Sequence, residues 1–135
     1  MGSVHSMPSA ARVLIVDDEP TILLGLSHCL QGTGARVTKC RERRTAEEAL
    51  RGDAFDLAII DLCLSRRGLP DGLDLVRAAK QANPKTQVIV ITAHGTDDLR
   101  RQALDRGAAD YLSKPINLDQ LLSAVQNVRP TSSAV

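Results

Sequence analysis

The sequence predicts a doubly wound α/β domain, a parallel sheet with helices on both faces, and three observations carry that reading. From Arg12 onward, short β-branched apolar runs alternate with longer stretches whose apolar residues recur at helical spacing. Three of the runs, "RVLIVD", "DLAIID" and "QVIVIT", are nearly continuous in apolar residues, the pattern of parallel strands buried on both faces. At 135 residues and 43% hydrophobic content, the chain can furnish one core without disulfide or metal staples.

Taken in order, the strand candidates are "RVLIVD", "ARVTKC", "DLAIID", "QVIVIT" and "DYLS", with a helix predicted after each. The first helix runs from about Pro20 to Gln31 on a stripe of Ile22, Leu23, Leu26, Cys29 and Leu30, and Pro20 fits a first turn. Gly25 inside it costs about 1 kcal/mol relative to alanine. The second opens at "TAEE", where Thr45 and Glu48 have capping-box spacing, and ends at Gly52. The third takes Asp71 as N-cap and stops near Asn83 and Pro84. The fourth spans Thr96 to Gly107, a glycine suited to a left-handed cap. The fifth begins at Asn117 and carries Leu118, Leu121, Leu122, Val125 and Val128. Residues 1–11 read as a disordered segment or tag remnant, 12–128 as the folded domain, and 129–135 as a tail or the start of a linker.

Composition narrows the function. Phe55 and Tyr111 are the only aromatic residues, so stacking platforms for nucleic-acid bases are absent. A net charge of +1 gives no overall field for nucleic acid or anionic membrane, and no apolar run approaches membrane-spanning length. Cys29, Cys40 and Cys63 are odd in number and lack C-x-x-C spacing, which suits a reducing, cytoplasmic location. Function must come from local charge.

That charge collects at the strand ends, where the crevice of a doubly wound sheet lies. Strand one delivers Asp17 and Asp18, strand three Asp61, strand four Thr92, and strand five Lys114 followed by Pro115. Three carboxylates in one crevice repel one another, and Lys114 offsets only one charge. A divalent cation brings the sum to zero, and all-oxygen ligands suit Mg²⁺. A carboxylate beside such an ion can attack phosphorus, and Asp61, at the end of a central strand, is the natural nucleophile. Mg²⁺, Lys114 and the Thr92 hydroxyl would then meet the charge on the transferred group.

"VLIVDDEP", "LAIIDL", "VIVITAHG" and "YLSKPI", in this order and at these separations, resemble the receiver domain of two-component response regulators over roughly Arg12 to Val128. The resemblance implies a flavodoxin-like (βα)5 fold with strand order 2-1-3-4-5, and a phosphoryl group accepted on Asp61 from a histidine kinase or phosphotransfer protein. It implies Mg²⁺ held by Asp18 and Asp61 directly, by Asp17 mostly through water, and by the backbone carbonyl of Cys63. Lys114 would pair with the phosphate across a cis bond to Pro115. Thr92 and Tyr111 would form the switch, and Cys63 and His94, each two residues past a site residue, would tune phosphate hydrolysis. Output would pass through the face of helix four, strand five and helix five, to a downstream protein or a fused output domain, and the same resemblance allows a homodimer. "TAHG" and "GAADYLSKPI" are similar to receivers of nitrogen-regulation-type transcription factors.

One departure is visible. Most receivers place a proline four residues after the acceptor, whereas here Pro70 comes nine after Asp61, in a lengthened loop with Arg66 and Arg67. Those arginines read as solvated loop charges, with screening of the phosphate as the alternative. Two other functions compete. A haloacid-dehalogenase-type phosphatase uses similar residues, but its nucleophilic D-x-D follows strand one and its acid pair comes late, the reverse of the order here. A flavodoxin-like cofactor binder needs a Gly- or Ser-rich phosphate loop after strand one, which "DDEP" does not provide. The reading is therefore a signalling domain that catalyses its own phosphorylation and dephosphorylation, with no turnover of external substrates and no nucleic-acid binding of its own.

Overall fold

Five parallel strands form one sheet in the order β2-β1-β3-β4-β5. The computed structural model describes residues 11–63 and 72–126. The elements are β1 (Arg12–Val16), α1 (Pro20–Gln31), β2 (Arg36–Cys40), α2 (Arg43–Gly52), β3 (Leu57–Asp61), α3 (Gly72–Ala82), β4 (Gln87–Thr92), α4 (Asp97–Asp105), β5 (Asp110–Ser113) and α5 (Leu118–Gln126). The flavodoxin-like (βα)5 architecture and strand order expected from the sequence are those observed.

Two-residue periodicity splits the strands between two apolar layers. Leu14, Val16, Ala58, Ile60, Val88 and Val90 face α2, α3 and α4, where they meet Ala46, Leu50, Val76, Ala79 and Ala103. Val13, Ile15, Leu57, Ile59, Ile89 and Ile91 face α1 and α5, against Leu23, Leu26, Leu30, Leu121 and Val125. Because both faces are covered, β1, β3 and β4 are apolar at nearly every position. The edge strands β2 and β5 are only partly buried, and they are the two whose sequences mix in polar residues.

Several helix ends follow local chemistry. Asn117 Oδ1 accepts from the backbone N–H groups of Asp119 and Gln120 at 2.9 and 3.2 Å, starting α5. Thr96 is the N-cap of α4, its hydroxyl accepting from the Leu99 N–H at 3.1 Å, and Gly107 closes the turn after that helix at φ +109°.

The start of α2 differs from the sequence expectation. The helix begins at Arg43, and the Thr45 hydroxyl donates back to the Glu42 carbonyl at 3.0 Å instead of capping. Glu48, the other half of the expected capping box, pairs with Arg44 at 3.5 Å, and Glu47 pairs with Arg43 at 3.4 Å. These i,i+4 pairs support a helix that starts three residues, most of a turn, earlier than the Thr-x-x-Glu pattern predicts. On α1 the predicted stripe is offset slightly: Leu23, Leu26, Ser27 and Leu30 are buried, while Ile22 and Cys29 lie at its margins. The expected N-cap Asp71, the displaced Pro70, Arg66 and Arg67, and Val128 lie outside the described residues.

Candidate functional site

Strand order reverses between β1 and β3, and the groups at their carboxyl ends define the crevice. Asp17, the residue after β1, has its backbone N–H bonded to the Cys40 carbonyl at 3.0 Å and is fully buried. Its Oδ1 accepts from the Glu19 N–H at 2.9 Å, an Asx turn that redirects the chain into α1. Asp18 is half-buried and Glu19 exposed. Asp61 ends β3 and is 3% exposed; its Oδ1 accepts from the Cys63 N–H at 3.0 Å.

Lys114 joins these strand ends. Its N–H donates to the Thr92 carbonyl at 2.8 Å, fixing the end of β5 against the end of β4, and the following bond to Pro115 is cis. The ammonium then reaches across the crevice. It lies 3.0 Å from Asp61 Oδ2, 3.0 Å from Asp17 Oδ2 and 3.1 Å from Glu19 Oε1. The contact with Asp17 is an ion pair, and among the described residues the buried Asp17 Oδ2 has no other polar partner.

The electrostatics follow from too many acids around one base. Burial pushes the Asp61 carboxyl up to about 6, and the neighbouring Asp17 charge adds to it, although the Cys63 N–H and Lys114 pull the other way. Burial alone would weaken the Lys114 ammonium, but its contacts with Asp17 and Asp61 outweigh that, so the ammonium is held above the ordinary lysine range.

The acids suit a hard cation. Asp17, Asp18 and Glu19 each offer a carboxylate oxygen within 4.8 Å of the others, and among the described residues the buried Asp17 Oδ2 is met by the Lys114 ion pair alone. Oxygen donors of this kind fit Mg²⁺ rather than a softer ion.

Sequence reasoning placed Asp17, Asp18, Asp61, Thr92 and Lys114 together. Three of them, Asp17, Asp61 and Lys114, are in direct contact, and Asp61 connects to the acid cluster through the Lys114 ammonium. Cys63 supplies its N–H to Asp61 and packs, half-buried, beside the apolar layer on the α3 side. Thr92 is fully buried, with its hydroxyl accepting from the His94 N–H at 3.3 Å, while the His94 side chain is exposed.

Tyr111 lies one step behind Thr92. A methyl group placed on Gly95 would collide with the Tyr111 hydroxyl and come within 2.9 Å of Thr92 Cγ2, so Gly95 opens the space the ring occupies. Among the described residues the hydroxyl is buried without a well-formed hydrogen bond, and the Thr96 backbone lies close enough to favour the phenolate. Burial accordingly pushes the phenol up from its ordinary range.

Three contributors are absent from the site residues expected from the sequence. Glu19 is one, although the acid run "DDE" to which it belongs reads as a metal-holding edge. Gly95 is another. The third is Gly72, whose N–H donates to the Leu62 carbonyl at 2.8 Å and where a Cβ would collide with the Asp61 carbonyl oxygen. No local pattern marks a glycine whose role is to admit a distant backbone.

Known proteins place this geometry in context. The family model described as the response regulator receiver domain matches residues 13–126. The chain is 39% identical over 110 residues to the alginate biosynthesis transcriptional regulatory protein AlgB of Pseudomonas putida, covering 82% of this chain and 24% of that protein. It is 41% identical over 119 residues to the response regulator protein PilR of Pseudomonas aeruginosa, covering 87% and 26%. The chain thus spans about a quarter of the length of these curated relatives.

Among solved structures, a CheY-like receiver domain protein from Methanospirillum hungatei superposes with a TM-score of 0.81 at 27% identity, over 87% of this chain and 92% of the other. A response regulator from Burkholderia pseudomallei, crystallised with a phosphorylated aspartic acid, calcium ion and citrate, superposes at 0.78 and 26% identity, over 87% and 67%. With the doubly wound sheet, the acids at its switch point and the family match over nearly all described residues in agreement, the chain belongs to the response regulator receiver domain family.

Proposed function

We propose that Asp61 is the phosphoryl acceptor of a two-component signalling pathway. The observation that carries this reading is the Lys114 ammonium, held 3.0 Å from Asp61 Oδ2 and 3.0 Å from the buried Asp17. A carboxyl near 6 is mostly ionised at neutral pH and remains a nucleophile, while the Cys63 N–H orients one of its oxygens. In the transfer, an Asp61 carboxylate oxygen bonds to phosphorus as the P–N bond of a phosphohistidine breaks; the imidazole keeps the electron pair and takes up a proton. Lys114 meets the charge on one phosphoryl oxygen, and the Thr92 hydroxyl, released from the His94 N–H, meets another.

Asp17, Asp18 and Asp61, with the backbone carbonyl of Cys63, would hold Mg²⁺, and Glu19 stands beside them. When bound, that ion supplies positive charge to the transferred group and relieves the repulsion among the acids. Cys63 and His94, each two residues past a site residue, would set how long the phosphate persists.

The output follows from Tyr111. Its ring already fills the space left by Gly95 beside Thr92, so a movement of Thr92 toward the phosphoryl group changes what the ring packs against. The surface of α4, β5 and α5 would then be read by a downstream protein, a fused output domain or a second copy of the chain. Shifting such a two-state face from mostly off to mostly on takes about 5 kcal/mol of differential interaction. The partner delivering the phosphate would be a histidine kinase or phosphotransfer protein in the cytoplasm; among the described residues no helix is long and apolar enough to cross a membrane. On this reading the chain would turn over no external substrate and would leave any nucleic-acid contact to an output domain.

The test is incubation with acetyl phosphate and Mg²⁺, followed by intact mass. The expected result is one added phosphoryl group in the wild type, none without Mg²⁺, and none in Asp61→Asn. Equal labelling of both proteins would refute Asp61 as the acceptor.

A further inference from the structure

The carboxylates around Lys114 are not held equally. The ammonium donates hydrogen bonds to Asp61 and to Glu19, and makes an ion pair with Asp17. The Asp17 and Asp61 side chains are 0% and 4% exposed, whereas Glu19 is 54% exposed. Withdrawing Lys114 from a buried acid strands a charge away from water, while withdrawing it from Glu19 returns a carboxylate to solvent at little cost. Glu19 also stands at the N-cap of α1 but makes no capping hydrogen bond, so its side chain serves the lysine across 95 residues rather than its own helix.

We infer that Glu19 is a positioning residue, an exchangeable partner that draws the Lys114 ammonium toward the crevice mouth in the unphosphorylated protein and yields it to a phosphoryl oxygen on Asp61. The inference rests on Asp61 being the acceptor. No covalent bond changes in this exchange: one N–H donor of Lys114 passes from a solvent-exposed carboxylate to the phosphoryl group, and the ion pair with Asp17 is retained. Glu19 is therefore a competitor of the phosphorylated state, and removing it favours that state.

The experiment uses beryllofluoride as a mimic of the phosphoryl group, titrated by NMR into the whole chain at a Mg²⁺ concentration shown to be saturating for each protein. The variants are Glu19→Gln and Glu19→Asp. Glu19→Gln removes the charge and is expected to tighten beryllofluoride about two- to fivefold, the range of an exposed ion pair. Glu19→Asp keeps the charge but shortens the reach, and aspartate at an N-cap turns to the helix N–H groups, so it too is expected to tighten binding. A merely repulsive field at residue 19 predicts tightening in Glu19→Gln alone, and that result overturns the exchange, as does unchanged affinity in both variants. Failure of the wild type to bind beryllofluoride at all overturns the acceptor reading beneath it, a result separable from the other two.

Discussion

Replacing Asp61 by asparagine tests the electrostatics of the crevice without any phosphodonor. Burial and the Asp17 charge raise the Asp61 carboxyl from 3.8 to about 6. At 1.36 kcal/mol for each pKa unit, that displacement carries about 3 kcal/mol. The sign is the reverse of an ordinary stabilising carboxylate. The folded-state value is raised, so folding favours the neutral acid; the contribution is fully present below about pH 3.8 and is lost as pH rises through about 6. Near neutrality the ionised Asp61 leaves the metal-free protein up to about 3 kcal/mol less stable than a neutral isostere would.

Asparagine is such an isostere: its side-chain oxygen can still accept from the Cys63 N–H, while its NH2 group replaces Oδ2 opposite the Lys114 ammonium, so about 3 kcal/mol is an upper bound on the gain. Lys114 retains Asp17 and Glu19 after the change. Urea unfolding in the presence of a chelator, between pH 4 and pH 8, is expected to give nearly equal stabilities at the acid end. The variant should gain on the wild type as pH rises, by up to about 3 kcal/mol, and added Mg²⁺ should narrow the gap by stabilising the wild type alone. Parallel stability curves for the two proteins across the range would show that Asp61 is not held against its charge, and the reasoning would fail.

Other perturbations follow from the same contacts. Lys114→Met leaves Asp17 and Asp61 buried without their cation and should cost about 3–5 kcal/mol in chelator, partly recovered by Mg²⁺; a loss under 1 kcal/mol in urea titrations would contradict the ammonium's role. Gly72→Ala sets a methyl group against the Asp61 carbonyl and should destabilise by about 1–3 kcal/mol, with unchanged thermal unfolding as the contrary result. Gly95→Ala should expel the Tyr111 ring; because Tyr111 is the only tyrosine and tryptophan is absent, its fluorescence reports the move through greater quenching by added iodide, and unaltered quenching would show the ring elsewhere.

Helix and strand assignments were largely legible because they depend on neighbours in sequence. β1, β3 and β4 announce themselves as continuous apolar runs, since a strand covered on both faces has no polar side to display. Where the local rule had two solutions, sequence reading chose the wrong one: Thr45 and Glu48 have capping-box spacing, but pairing of Glu47 and Glu48 with Arg43 and Arg44 started α2 earlier. The acids and Lys114 were legible as strand-end residues because a doubly wound sheet places every strand's carboxyl end on one edge.

What only the tertiary structure decided is how those residues divide their contacts. Glu19 and Asp17 are two residues apart, yet one is exposed and the other has no access to water, because the Asp17 carboxylate lies inside the crevice against Lys114 and the Glu19 N–H while the Glu19 side chain reaches the same ammonium from the solvent side. The roles of Gly72 and Gly95 likewise exist only once Asp61 and Tyr111 arrive beside them. By itself the sequence determined the order of strands and helices, their apolar faces and the edge where charge collects, all set by short-range periodicity. Which carboxylate shares the ammonium, and which glycine must lack a side chain, depended on atoms brought together from tens of residues apart, where packing and desolvation replace sequence spacing as the governing physics.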